Sequence, residues 1–154
     1  MSGARAVRTS LEVGFASGDL PEALVGCRGR DSRAIPACAE FPYEDAQFEV
    51  VMIDGAAVSR ATVREAHRVL RPDGRLFFIV PEKTRKQDGF TMPAVYSIVR
   101  DGFNIVGLER PPWWLFGMRG HTLSITAKKK AWKSYHGLDG SNLAAHSLFA
   151  GARR

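Results

Sequence analysis

The stretch LEVGFASGD (11–19) is an apolar run that breaks into a turn carrying Gly14 and Gly18. That is the outline of a loop that receives a nucleotide cofactor, where a Cβ would keep a ligand away from the backbone. A second chemical candidate is Asp54, the last residue of the apolar run QFEVVMID (47–54). A carboxylate there stands at the edge where α/β sheets place their sites, suited to a general base or to an acid that caps the next loop. His67, inside REAHRVL, reads as a surface residue of a helix, and His121 begins a late strand. Cys38 reads as a structural thiol. Cys27 and Cys38 form no CxxC pair and no histidines cluster, so no metal site or disulfide framework is expected.

The elements that must position these groups follow from hydrophobic periodicity. SLEVGF and QFEVVMID read as strands, RAIPACAEF as a weaker strand interrupted by Pro36, and RLFFIV as a further buried strand. SRATVREAHRVLRPDG is an amphipathic helix with Ser59 as N-cap, Val63, Ala66, Val69 and Leu70 on one face, and RPDG as its stop. GFTMPAVYSIVRDGF is a second helix ending at Asp101-Gly102. FNIVGLERPP and HTLSITAKKK form an antiparallel hairpin around the aromatic loop WWLFGMRG. Alternating strands and helices imply a parallel sheet with right-handed crossovers, so the fold class is an α/β sandwich, mostly parallel, closed by a C-terminal antiparallel hairpin.

Composition agrees with one domain: 154 residues, 45% apolar and 25% charged. The main α/β domain is expected over 1–130, with 131–154 a weakly patterned extension holding at most a short helix near 142–149. No run of about 18 apolar residues exists and MSGARAVRTS has no apolar core, so a cytoplasmic protein without a membrane span is expected. The net charge of +6 concentrates at Arg119, Lys128, Lys129, Lys130 and Lys133, with no acid from 119 to 136. Such a segment is a solvated strand end or, less readily, an RNA-binding patch.

In its middle the chain resembles the class I S-adenosylmethionine-dependent methyltransferases of the small-molecule, methyltransferase type 11-like kind. Their pattern LPF-x-D-x-x-FD-x-V is met by Phe41, Pro42, Tyr43, Asp45, Phe48, Glu49 and Val51, with Glu49 for the usual aspartate. RVLKPGGRL is met by Arg68, Val69, Leu70, Arg71, Pro72, Gly74, Arg75 and Leu76. The resemblance covers roughly 11–130 and implies a Rossmann-like methyltransferase sandwich with S-adenosylmethionine as cofactor. It also implies that Glu12, Gly14, Ala16 and Gly18 are the acid and glycine loop at the end of the first strand, with Ala16 where the middle glycine belongs.

The same resemblance exposes a shortfall. Two strand–helix units would need roughly 60 residues before the LPF segment; Gly18 and Phe41 are separated by 22. One strand–helix unit is therefore expected to be missing between 19 and 40, together with the acid that holds the ribose hydroxyls. The acid expected to meet the adenine amino group falls at Ala37, with Glu40 nearby as the remaining cofactor-side carboxylate. Each lost charge-assisted hydrogen bond costs about 1.5–3 kcal/mol.

Three functions are consistent with these residues: a methyltransferase acting on an unidentified acceptor, a catalytically inactive methyltransferase-fold binding module, and an RNA-binding accessory protein. A shortened helical layer implies bared sheet surface and hence a homodimer or protein partner, through that face or through the loop carrying Trp113 and Trp114.

Overall fold

A computed structural model describes residues 8–15, 20–110 and 121–130. Six strands form one sheet: β1 (Thr9–Val13), β2 (Asp31–Ile35), β3 (Phe48–Asp54), β4 (Leu70–Pro81), β5 (Phe103–Glu109) and β6 (Thr122–Lys129). Their order across the sheet is β2-β1-β3-β4-β6-β5. The first four run parallel, and β6 lies antiparallel between β4 and β5. The helices are α1 (Glu22–Val25), α2 (Arg60–Val69) and α3 (Met92–Val99), with a 3-10 turn over Gly55–Ala57. This is the mixed α/β sheet expected from the strand and helix order.

Alternation divides the strands between two faces. Leu11, Val13, Val51, Ile53, Leu76, Phe78, Val80, Leu123 and Ile125 point to the side covered by α2 and α3, where they meet Val63, Ala66, Val69, Val95 and Val99 in the main core. Ser10, Glu12, Val50, Met52, Phe77 and Ile79 point the other way; there Val50 and Met52 pack with Leu20 and Leu24 in a small second cluster. Only the four-residue α1 covers this side among the described helices.

Local chemistry explains the helix ends. Ser59 caps α2 as expected: its Oγ accepts from Thr62 N at 3.2 Å while Thr62 Oγ1 accepts from Ser59 N at 2.9 Å, a reciprocal capping box. Thr91 caps α3, whose second residue is Pro93.

Three readings need correction. RPDG does not end α2 as a glycine cap; Leu70 already pairs with Phe48, and Arg75 pairs with Val50, so 71–74 loop out of the ladder between them. Asp73, at φ +65°, makes the turn of this bulge. His67 is not a surface residue: it is half-buried and stands edge-on to Phe103 at 5.4 Å. The weak strand also ends earlier than its apolar letters suggest, at Ile35 before Pro36, because proline brings no N–H to a ladder.

Arg68 ties the 41–45 segment to α2. Its guanidinium donates to Phe41 O at 3.0 Å, Tyr43 O at 2.8 Å, Asp45 at 2.9 Å and Glu65 at 2.8 Å, and Glu65 accepts from Phe41 N at 2.9 Å. Glu65, hydrogen-bonded to Arg68, is held below the ordinary carboxylate range, and Arg68 is raised by Glu65 and Asp45. The two halves of the sequence resemblance are thus one physical unit.

Candidate functional site

The chain runs from β1 to β2 on one side and then to β3 on the other, so the order of the parallel strands reverses between β1 and β3. In open α/β sheets ligands bind at such a switch point, outside the carboxyl ends of the strands. Three loops meet there. Gly14 follows β1 at φ +82°, a conformation that disfavours residues with a side chain. A Cβ built on it would stand 2.9 Å from Ala57 Cβ, 3.5 Å from Asp54 Cβ and 3.7 Å from Ala37 Cβ. Gly14 N donates to Ile35 O at 2.9 Å, which joins the turn to the end of β2.

Each candidate residue has a definite place. Asp54 ends β3 half-buried; it does not cap the 3-10 turn that follows, and no ion pair or side-chain hydrogen bond engages it among the described residues. Ala37, where the adenine-side acid was counted, does lie at the switch point, but as an alanine it brings no charge. Glu40 is exposed on the loop after β2, and its carbonyl accepts from Cys38 Sγ at 3.1 Å. Asp31 begins β2, at the far end of the sheet from Gly14. Ala16 and Gly18 lie outside the described residues, as do Trp113, Trp114, Arg119, Lys133 and the segment 142–149.

Glu12 lies below the turn, on the thinly covered face. Arg28 Nη2 and Nε donate to its Oε1 at 2.5 and 3.1 Å, and Ser32 Oγ donates to Oε2 at 2.5 Å. The sequence did not signal Arg28 as a partner, because it reaches Glu12 from the loop after α1.

Among the described residues no three His, Cys, Asp or Glu side chains converge as a metal site, and no helix is long and apolar enough to cross a membrane. His121 is exposed and engaged through its backbone carbonyl, which accepts from Glu82 N at 3.0 Å and Gln87 Nε2 at 2.9 Å. Part of the basic segment is structural: Lys129 Nζ donates to Leu70 O at 2.7 Å, with its pKa lowered by burial, and Lys130 Nζ donates to Arg100 O.

No protein-family model and no curated protein matches the chain. Solved structures do match its fold. The 1,6-didemethyltoxoflavin-N1-methyltransferase of Burkholderia thailandensis, solved with 1,6-didemethyltoxoflavin and S-adenosylhomocysteine, is 22% identical over 80% of this chain and 71% of its own, at a TM-score of 0.55. A SAM-dependent methyltransferase from Aquifex aeolicus is 14% identical over 83% of this chain and 85% of its own, at 0.60. One from Methanosarcina mazei is 13% identical over 79% and 92%, at 0.58. With its strand order, the chain has the Rossmann-like fold of these SAM-dependent methyltransferases.

Proposed function

We propose that the switch point between the ends of β1 and β3 binds S-adenosylmethionine and that the protein transfers its methyl group to an acceptor held beside Asp54. The observation that carries this reading is the placement of Gly14 beside a half-buried Asp54 carboxylate, which no side-chain hydrogen bond or ion pair engages among the described residues, at the topological switch point. The cofactor's contribution would be an electrophilic methyl group. The chain's contribution is placement: a turn with no side chain at Gly14, small walls at Ala37 and Ala57, and a carboxylate that receives the proton of an O–H or N–H acceptor. Glu12, with both oxygens engaged by Arg28 and Ser32, supports the turn from below.

A non-catalytic binding module is the second reading, and Ala37 favours it, since no charged partner for an adenine amino group stands there. A thermal melt with S-adenosylmethionine and S-adenosylhomocysteine separates the two. Saturation to 100 times the dissociation constant adds about 2.7 kcal/mol, a rise of roughly 5–10 °C. Ala37→Asp should tighten binding about tenfold. If neither the wild type nor Ala37→Asp responds to millimolar cofactor, the methyltransferase reading is lost and the module reading stands. Where binding is present, Asp54→Asn should leave the melt shift in place while methyl transfer falls by about 10²-fold or more.

A further inference from the structure

At the opposite, amino edge of the sheet, the 71–74 bulge and the loop after α1 line an open cleft of about 440 Å³. Arg8, Arg71 and Arg75 ring it, Val50 and Phe77 line it, and Cys27 forms part of its wall. From Glu49 to Asp54 along β3 the two edges are about 17 Å apart at ~3.3 Å per residue, so this cavity is separate from the switch point described above. We propose that it binds the phosphate group of a small phosphorylated molecule, independently of what the carboxyl edge binds.

Charge accounting supports an anion here. The cavity's two acids are already engaged, Glu49 with Arg71 at 3.6 Å and Asp73 with Lys128 at 3.5 Å. Arg8 and Arg75 have no ion-pair partner among the described residues, yet both act electrostatically on the Cys27 thiol. Arg75 moreover pairs directly with Lys128 in the antiparallel register of β4 and β6. Like charges at facing positions of a ladder repel. An anion on Arg75 relieves that repulsion, and guanidinium groups match phosphate oxygens in two-point geometry. The apolar lining of Val50 and Phe77 suits a compact ligand with an apolar part rather than a bare polymer backbone.

The thiol provides a second readout. Burial raises the Cys27 pKa while Arg8 and Arg75 pull it down. A bound phosphate cancels that pull and covers the cavity, so alkylation of Cys27 must slow. The experiment uses the full chain with Cys38→Ser, titrated with inorganic phosphate, pyrophosphate and adenosine monophosphate, following iodoacetamide labelling and the thermal melt. A short single-stranded RNA is tested alongside. Expected are a raised melting temperature and slowed labelling with at least one small phosphate, with affinity about tenfold weaker in Arg75→Gln and in Arg8→Gln. Ligand-free Arg75→Gln should melt above the wild type, because it loses the repulsion from Lys128; this also shows that the variant folds. No response to any small phosphate at millimolar concentration, or equal binding by both variants, overturns the proposal. So does RNA binding that pyrophosphate and adenosine monophosphate do not displace, which would make this edge a polymer surface.

Discussion

Glu12 on β1 and Arg28 in the loop after α1 form a two-point ion pair, and Ser32 of β2 closes the remaining carboxylate oxygen. The Glu12 side chain is 8% exposed and that of Arg28 37%. The pair therefore links three consecutive pieces of one short βαβ unit whose helix has only four residues.

The asymmetry of exposure makes a prediction. Arg28→Ala strands a buried carboxylate, whereas Glu12→Gln leaves a guanidinium that can turn to water. Arg28→Ala should cost about 2–4 kcal/mol and Glu12→Gln about 1 kcal/mol, less than a fully buried pair because Arg28 is partly solvated. Urea unfolding of both single variants and the double variant measures this. Equal costs for the two single variants would contradict it.

Two glycines close in sequence should respond oppositely to alanine. Gly14 sits at φ +82° with Ala57 Cβ 2.9 Å from a built Cβ, so Gly14→Ala should destabilise by about 1–3 kcal/mol. Gly26 has helical φ and ψ of −66° and −16°, and nothing lies within 4 Å of its Cβ position. Gly26→Ala should be neutral or stabilise by up to about 1 kcal/mol. A melt of each variant suffices, and a stabilised Gly14→Ala would mean that the turn relaxes to another conformation.

Arg68 offers a third test. Its fork spans Phe41 O, Tyr43 O, Asp45 and Glu65, a geometry that a lysine ammonium cannot reproduce. Arg68→Lys should therefore recover little of the roughly 2–3 kcal/mol lost in Arg68→Ala. Hydrogen exchange should quicken at the Phe41 and Tyr43 amides, which bond to Glu65 and to Phe41 O. Unchanged exchange there would show that 41–45 is held by packing alone.

What could be read in advance was what local periodicity encodes. The apolar runs of β3 and β4, the Ser59 cap and the Val63, Ala66 and Val69 face of α2 all lie within a few residues of their causes, and each is present. Ala37, reached by counting back from Phe41, stands beside Gly14. What escaped were relationships made by pairing. Arg71–Gly74 looked like a helix stop because its letters are turn formers; only alignment with Phe48 and Val50 reveals a bulge. Arg75 faces Lys128 across 53 residues of chain, and Arg28 meets Glu12 across a helix; no local pattern marks either.

His67 escaped for the same reason, and its burial sets a pH dependence. Its helix position reads as surface, but β5 brings Phe103 edge-on to its ring, and a Cβ on Gly102 would stand 2.6 Å from the ring. Burial lowers its pKa to about 4, helped by the nearby charge of Lys129, from an ordinary 6.5. In the unfolded chain His67 takes up a proton as pH falls below about 6.5, while the folded protein resists until about 4. The unfolded state thus binds more protons in that window, and the contribution of neutral His67 to stability, complete above pH 6.5, is lost as pH falls toward 4. Discounted for a half-exposed ring, the loss is about 1–2 kcal/mol. His67→Leu removes the titrating group but keeps an apolar contact with Phe103. The difference in unfolding free energy between wild type and His67→Leu should be constant above pH 6.5 and move in favour of the variant between pH 6.5 and 4. A difference that stays flat across that window would place the ring in water rather than against Phe103.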